Sequence, residues 1–147
     1  MLLEAGHEVV STDLIDRGFG LGGQDFLKSD RPLAKHIITN PPYGTHGLAD
    51  LFVRRALIHC QKTGGSVAML LNLRSLCNPD RVKKFTKTPP TAIYALDELI
   101  CWPAGKPCSR EARIAQQQYY WAVWHPGKVE RPAFWWLSTK PFKKSPL

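Results

Sequence analysis

One short segment constrains the fold of this chain more than any other, and it reads His-Ile-Ile-Thr-Asn-Pro-Pro-Tyr-Gly at positions 36–44. The β-branched residues Ile37 and Ile38 predict the end of a buried strand. Two prolines follow, and proline can neither donate to a strand ladder nor continue a helix. The backbone must therefore turn away from the sheet at Asn40. Ligands of open α/β sheets bind at the carboxyl ends of strands, so the sequence predicts a binding corner here.

This corner carries the groups that a planar amine needs in order to react. The lone pair of an exocyclic amine is delocalised into its ring, which makes the nitrogen a poor nucleophile. The side-chain oxygen of Asn40 and the carbonyl of Pro41 can each accept one N–H and draw the nitrogen towards a pyramidal geometry. The ring of Tyr43 can stack on the planar group, which is worth roughly 1–3 kcal/mol per base. These residues favour chemistry on an amino group.

The tetrapeptide Asn40-Pro41-Pro42-Tyr43 resembles the catalytic motif of class I S-adenosylmethionine-dependent amino-methyltransferases, especially the phage-type enzymes that act on N6 of adenine in DNA. The resemblance implies that these four residues are catalytic and that S-adenosylmethionine is the cofactor. It also implies an α/β fold with a Rossmann-like methyltransferase sheet, mostly parallel with a C-terminal antiparallel hairpin. Asn-Pro-Pro also occurs by chance at turns, which is the alternative interpretation.

Two carboxylates that precede the corner are candidates for holding the cofactor. Residues 8–13 predict a short strand ending at Asp13, where nucleotide-binding α/β sheets place an acid against ribose hydroxyls. Asp13 could instead cap the segment that follows, and Asp16 competes for the same role. The pair Asp25 and Phe26 resembles the acidic-apolar pair with which these methyltransferases hold the cofactor adenine. The resemblance also places Asn40 beside the cofactor.

A glycine-rich run at 18–23 satisfies the pattern GxGxxG of dinucleotide-binding proteins. That pattern requires a strand directly before it and a helix that begins at it, and Pro32 follows too soon for a good helix. We therefore expect a flexible loop. There are two alternatives. The loop could cradle a phosphate or the cofactor, or the protein could be a nicotinamide dehydrogenase, and the context disfavours both.

The remaining patterns predict one helix and four strands. Apolar residues at offsets of three and four predict an amphipathic helix over 47–62, which the glycines at 64 and 65 end. Apolar and β-favouring runs predict strands at 66–71, 92–96, 116–125 and 134–137. The strand before Asn40, the helix and the next strand would form a βαβ unit. The strands at 92–96 and 116–125 would form an antiparallel hairpin at the sheet edge, with Trp121 and Trp124 packing rather than binding.

The composition indicates a basic protein with one core. The chain has 147 residues, 44% of them hydrophobic, and we expect a single domain over 1–139 followed by a basic tail over 140–147. Lysine and arginine total 20 against 12 acidic residues, so the formal net charge is +8. This excess favours nucleic acid as the partner, DNA more than RNA. A soluble basic protein without such a partner is the alternative.

Six basic residues are candidates for nucleic-acid contacts in segments that we expect above the sheet edge. They are Arg74, Arg81, Lys83, Lys84, Lys106 and Arg110. The later segment also carries Trp102, and cations interleaved with rings suit phosphates and bases. For the earlier segment, a solvated helix face is an equal alternative.

The four cysteines, at positions 60, 77, 101 and 108, form no CxxC pair, so we expect free buried thiols in a reducing compartment. A zinc site is disfavoured because the spacing matches no ligand pattern, and we predict no metal. No apolar run approaches the roughly 20 residues that span a membrane, and the first residues do not read as a signal peptide. We therefore expect a cytoplasmic protein.

This chain resembles the part of a methyltransferase domain that extends from its second strand to its C-terminal end. The family's first strand and its glycine-rich cofactor turn would therefore precede Met1. A shortened chain, a first strand supplied by a second chain, or lost cofactor binding would each account for this. The functional hypotheses are therefore a DNA adenine methyltransferase, a methyltransferase for an RNA base or a protein glutamine, and an inactive relative that binds nucleic acid or assembles.

Overall fold

The computed structural model describes residues 2–43, 47–97, 99, 118–127, 129 and 131–139. The chain forms two compact units, Met1–Val67 and Ala68–Leu147. The described elements are a mixture of helices and strands, as the predicted α/β class requires. The boundary between the units falls inside one strand, Val67–Asn72.

The first unit begins with a turn and a long coil, so the predicted strand over 8–13 is wrong. Among the described residues of this coil, strand pairing is limited to one parallel bridge between Thr12 and Leu21. The carboxylate of Asp13 accepts a hydrogen bond from the N–H of Ile15 over 2.9 Å. This turn ends the extended run directly after its single bridge.

The glycine-rich run at 18–23 is a loop, as predicted, and no helix begins at it in the described chain. The N–H of Leu21 donates to the carbonyl of Ser11 over 2.8 Å, which draws this loop against the preceding chain. A Cβ on Gly20 would lie 2.5 Å from that same carbonyl oxygen, and the residue has φ of +73°. Close backbone approach therefore accounts for glycine at this position.

Helix α1 (Leu48–Thr63) confirms the predicted amphipathic helix, and Gly64 ends it with φ of +63°. The residues that the helix buries are Val53, Ala56, His59 and Cys60. A short 3-10 helix, Phe26–Lys28, lies against α1, and the ring centroids of Phe26 and Phe52 are 5.2 Å apart. The coil of the first unit is thus packed onto α1.

Strand β1 (Ile37–Thr39) ends where the sequence predicts, directly before Asn40. The predicted burial of this strand is wrong for Ile38, which is 55% exposed, because it faces the opposite side of the sheet from the half-buried Ile37. The N–H of Ile37 donates to the carbonyl of Ser66 over 2.9 Å. Strand β2 (Val67–Asn72) begins at the next residue, and the prediction of a buried apolar strand here is confirmed.

The end of α1 approaches the chain before β1 very closely. A Cβ on Gly65 would overlap the carbonyl oxygen of Lys35. That oxygen also accepts a hydrogen bond from the hydroxyl of Thr63 over 3.0 Å. The second of the two glycines is therefore required by contact, whereas Gly64 is required by its positive φ.

Three further strands follow, β3 (Ala92–Leu96), β4 (Tyr119–Trp124) and β5 (Ala133–Leu137), and the sheet has the order β1-β2-β4-β3-β5. Strand β3 is antiparallel to β4, which confirms the predicted pairing. The expectation that this pair forms the sheet edge is wrong, because β5 pairs with the other side of β3 in parallel.

The core of the second unit is formed by strand residues, among them Trp124 at the end of β4, which a helix covers. Its most buried side chains include Met69, Leu71, Tyr120, Ala122 and Trp124. The rings of Trp124 and Phe85 pack edge to face, with their centroids 5.6 Å apart. The indole N–H of Trp124 donates to the carbonyl of Thr88 over 3.2 Å. Phe85 belongs to helix α2 (Pro79–Lys87), into which the charged segment folds. The packing role predicted for Trp124 is confirmed.

Within the described part of the chain, no helix combines the length and the apolar character needed to cross a bilayer. The buried thiol predicted for Cys60 is confirmed, whereas Cys77 is exposed. Cys101, Cys108 and the tail at 140–147 lie outside the described residues. The single domain and the cytoplasmic location stay predictions.

Candidate functional site

The corner at residues 40–43 leaves the end of β1 on a buried anchor. Pro41 is almost completely buried, whereas Asn40, Pro42 and Tyr43 are exposed. Because proline has a fixed φ, burying its ring holds the backbone of its neighbours as well. Asn40 is thereby kept in one place with its side chain in solvent.

The side-chain amide of Asn40 makes no hydrogen bond within the described part of the chain. Its oxygen can therefore accept a hydrogen bond from a ligand without first losing one. The amide is the polar group that the sequence places at the end of β1. Its catalytic role, and the roles of Pro41, Pro42 and Tyr43, stay predictions.

Asp13 is an exposed carboxylate with two neighbours from its own turn. Besides the N–H of Ile15, it meets the Nε of Arg17 at 3.3 Å. The hydrogen bond from Ile15 holds the pKa of Asp13 below its ordinary value, and the guanidinium of Arg17 acts in the same direction. Both contacts favour the ionised form, which accepts hydrogen bonds only. The ribose role of Asp13 stays a prediction, and Asp16 forms a similar turn with Gly18.

Asp25 and Phe26 hold the local structure together. Asp25 caps the 3-10 helix by accepting from the N–H of Leu27 over 3.0 Å, and its other oxygen lies 3.5 Å from Nζ of Lys28. The ring of Phe26 contacts Phe52 and lies 5.9 Å from the ring of His59. Only the remaining exposed part of this ring can meet a cofactor. The adenine role that the resemblance implies for both residues stays a prediction.

His59 is a buried polar residue that the sequence offered only as a disfavoured zinc ligand together with cysteines, and its burial was not predicted. Its Nε2 lies 2.8 Å from the hydroxyl of Ser29, and its Nδ1 has no hydrogen-bond partner among the described residues. Arg55 donates to the carbonyl of Ser29 over 3.2 Å, so one serine links two residues of α1 to the coil. The signal was present, because His59 lies seven residues after Phe52 on the apolar side of the helix.

Burial lowers the pKa of His59, and the charges of Arg55 and Lys62 lower it further. The imidazole is therefore neutral in the folded protein near neutral pH. Burial likewise raises the pKa of the Cys60 thiol. Its Sγ donates to the carbonyl of Ser66 over 3.4 Å, so this thiol is protonated and part of the packing.

The predicted nucleic-acid residues have different surroundings. Arg74, Lys83 and Lys84 are exposed. Arg81 is only 6% exposed, and its guanidinium carbon lies 5.4 Å from the centre of the Phe85 ring. This burial does not fit a phosphate contact, since the cation packs on its own helix. Lys106 and Arg110 lie outside the described residues.

The acceptors of the first unit suit a nucleoside chemically. Asp13, Asp25 and Asn40 carry oxygens that can accept from hydroxyl and amino groups, and all three belong to this unit. No group of histidine, cysteine or acidic residues that could hold a metal occurs among the described residues. These residue types can accept the hydrogen bonds that the hydroxyl and amino groups of a nucleoside donate.

The sequence matches no family model and no curated protein. A solved structure is similar: a protein of Listeria monocytogenes provisionally described as a class I S-adenosylmethionine-dependent methyltransferase, 16% identical, with a TM-score of 0.53. The match covers 81% of this chain and 41% of that one, so the chain spans about two fifths of that protein's length. At this identity the similarity concerns the fold. The chain therefore has a mixed α/β fold like that of the Listeria protein.

Proposed function

We propose that this protein transfers a methyl group from S-adenosylmethionine to the exocyclic amine of a nucleic-acid base, N6 of adenine in DNA. The observation that carries the proposal is the exposed amide of Asn40 at the end of β1, next to the buried ring of Pro41. This amide makes no hydrogen bond to any residue that the structure describes. The similar fold of the Listeria protein supports the same reaction class.

The residues of the corner would prepare the amine and hold the base. The oxygen of Asn40 would accept one N–H of the amine, which helps return the lone pair to the nitrogen. The carbonyl of Pro41 belongs to a buried residue, so the corner would have to open before that carbonyl could accept the other N–H. Tyr43 is 41% exposed and offers its ring to the base. When bound, S-adenosylmethionine would supply the methyl group through cleavage of its sulfur–methyl bond and would leave as the neutral thioether, while the amine would release one proton to solvent. The base must leave its stack, which costs a few kcal/mol in a duplex and less in a single strand.

The cofactor would be held in the first unit by residues that keep acceptor capacity. Asp13 is exposed and would accept from the ribose hydroxyls, while Asp25 would accept from the adenine amino group. The half-buried ring of Phe26 would contact the adenine through its exposed part. The exposed lysines of α2, Lys83 and Lys84, would meet the phosphates of the substrate.

Cofactor binding and methyl transfer test the proposal separately. Calorimetry with S-adenosylmethionine should give micromolar binding that Asp13→Ala weakens. Methyl transfer to adenine-rich single-stranded DNA should fall about 100-fold or more in Asn40→Ala, because an acceptor aimed at the reacting group is lost. Gln61→Ala is the matched control, since Gln61 is also an exposed amide of the first unit. Full activity in Asn40→Ala would refute the assigned chemistry.

A protein that binds nucleic acid without catalysis is the second candidate. The predicted strand at 8–13 does not form, and Phe52 covers part of the Phe26 ring. Both observations reduce the surface that could hold the cofactor, and they favour this candidate. No heat with millimolar S-adenosylmethionine, together with retained DNA binding, would select it. RNA and a glutamine peptide, offered in the same transfer assay, distinguish the other substrates.

A further inference from the structure

Strand β5 presents large apolar side chains to solvent along its whole length. All five of its residues, Ala133–Leu137, are exposed. Trp136 is 81% exposed and Trp135 is 56% exposed. Isolated exposed apolar residues are ordinary, but a contiguous run on a strand marks an interaction surface.

Two of these rings form a pair on one face of β5. Side chains two residues apart in a strand point to the same side, so Phe134 and Trp136 share a face. Their ring centroids are 5.3 Å apart at an interplanar angle of 76°, and Phe134 is 45% exposed. The edge of one ring thus supports the face of the other, which leaves the Trp136 indole open to a planar ligand.

The strand that carries the pair is held in place at its end. The N–H of Asp97, directly after β3, donates to the carbonyl of Leu137 over 3.2 Å. The carboxylate of Asp97 accepts from the hydroxyl of Ser138 over 2.7 Å and from the N–H of Thr139 over 2.9 Å. The rings therefore stand on a paired and anchored strand, so little order has to be gained on binding.

The charge of the unit that contains β5 indicates an anionic partner. The sequence of the first unit has seven basic and seven acidic residues, whereas that of the second has thirteen basic and five acidic residues. The whole excess of +8 is thus carried by the second unit. Exposed flat rings in a strongly basic unit are the combination that binds single-stranded nucleic acids.

We propose that the Phe134–Trp136 face of β5 is a stacking surface for the bases of a single-stranded nucleic acid. The proposal rests on the nucleic-acid substrate proposed above and adds a site distinct in residues from the Asn40 corner. Stacking reads no sequence, so this surface would hold the strand without choosing the base that reacts.

A second copy of the chain is the competing occupant, because an edge strand can pair with another edge. Pairing two copies through β5 would bring the second unit of one copy against the second unit of the other, and each of them carries a net charge of +8. A polyanion neutralises that charge instead. The charge therefore favours nucleic acid over self-association.

The test is the binding of fluorescent oligothymidine to the full chain, measured by anisotropy without S-adenosylmethionine. Trp136→Ala should weaken binding roughly ten-fold, the loss expected for one stacked base, and Trp136→Phe should weaken it less than about three-fold. Trp135→Ala is the matched control, because it removes the same side chain from the opposite face of the strand. Circular dichroism of each variant checks the fold.

Wild-type affinity in Trp136→Ala, or an equal loss in Trp135→Ala, would overturn the proposal. Sedimentation that shows a wild-type dimer, reduced to a monomer by Trp136→Ala, would also overturn it in favour of a second copy. Oligothymidine carries no adenine, so this test is independent of methylation. We expect Asn40→Ala to lose methyl transfer and to keep normal oligothymidine binding. The proposed catalysis and the proposed stacking surface can therefore fail independently of each other.

Discussion

The two units of the chain differ in what they are built from. The first, Met1–Val67, consists mainly of coil held on α1 by a few specific contacts, such as the hydroxyl of Ser29 on His59. The second, Ala68–Leu147, contains strands paired in register over a core of buried side chains such as Tyr120. The first is also neutral in charge, whereas the second carries the basic excess.

This difference separates the two proposed tasks. The groups suited to a nucleoside and to an amine lie in the first unit, where an exposed amide and carboxylates follow short, irregular segments. The basic excess and the exposed rings belong to the second unit, and strand β5 carries the rings. Chemistry that needs precise polar groups and binding that needs charge and flat surfaces make different demands on the backbone.

Trp124→Ala should have the largest effect on stability, a loss of about 3–5 kcal/mol in the free energy of unfolding. The substitution removes a buried ring that Phe85 and the carbonyl of Thr88 contact. Urea unfolding measures the loss. Trp121→Ala is the control, because Trp121 is only half-buried and should cost clearly less. Equal losses would contradict a core centred on Trp124.

Gly65→Ala should destabilise the protein by about 3 kcal/mol, because its Cβ would overlap the carbonyl of Lys35 and force the chain before β1 to move. Gly64→Ala offers the matched comparison. That position has open space and a positive φ, so the cost should be about 1 kcal/mol. Urea unfolding of both variants decides. A larger loss in Gly64→Ala would mean that strain outweighs contact at the end of α1.

His59→Gln should have the smallest effect, visible as a change in the pH dependence of stability. The folded pKa of His59 lies below its ordinary value of 6.5, so between the two values the unfolded chain binds the proton and the folded chain does not. The free energy of unfolding of the wild type should therefore fall as the pH drops below 6.5.

Glutamine at position 59 can still meet the hydroxyl of Ser29 but does not titrate, so the decline should be shallower in the variant. Urea unfolding at several pH values between 7 and 5 measures it. His7→Gln serves as the control, since His7 is exposed. Parallel curves for the wild type and His59→Gln would show that burial of this imidazole does not limit stability.

Much of the regular structure was predictable because local patterns decide it. The periodicity of α1 and its glycine end, the break at Asn40 and the strand at 92–96 follow from side-chain spacing and from the properties of proline and glycine. The strand at 8–13 was wrong because, among the described residues, this run pairs with the chain near Leu21 through a single bridge, and apolar spacing within one segment does not reveal whether a partner strand exists.

The site was predictable only in part. The position of the Asn40 amide at the end of β1 follows from the sequence. The contact between Ser29 and His59 joins residues 30 positions apart, and the burial of Arg81 is a result of packing that its charge does not reveal. The exposed ring pair on β5 also escaped the sequence reading, since aromatic residues in a strand usually pack.

By itself, the sequence determined where the chain turns and which side of α1 is apolar, because these depend on the backbone limits of proline and glycine and on spacing along one element. Only the tertiary structure decided that β5 pairs outside β3 and leaves its rings in solvent. The physical reason is that burial depends on which strands become neighbours, and that choice is made by the whole sheet rather than by any single strand.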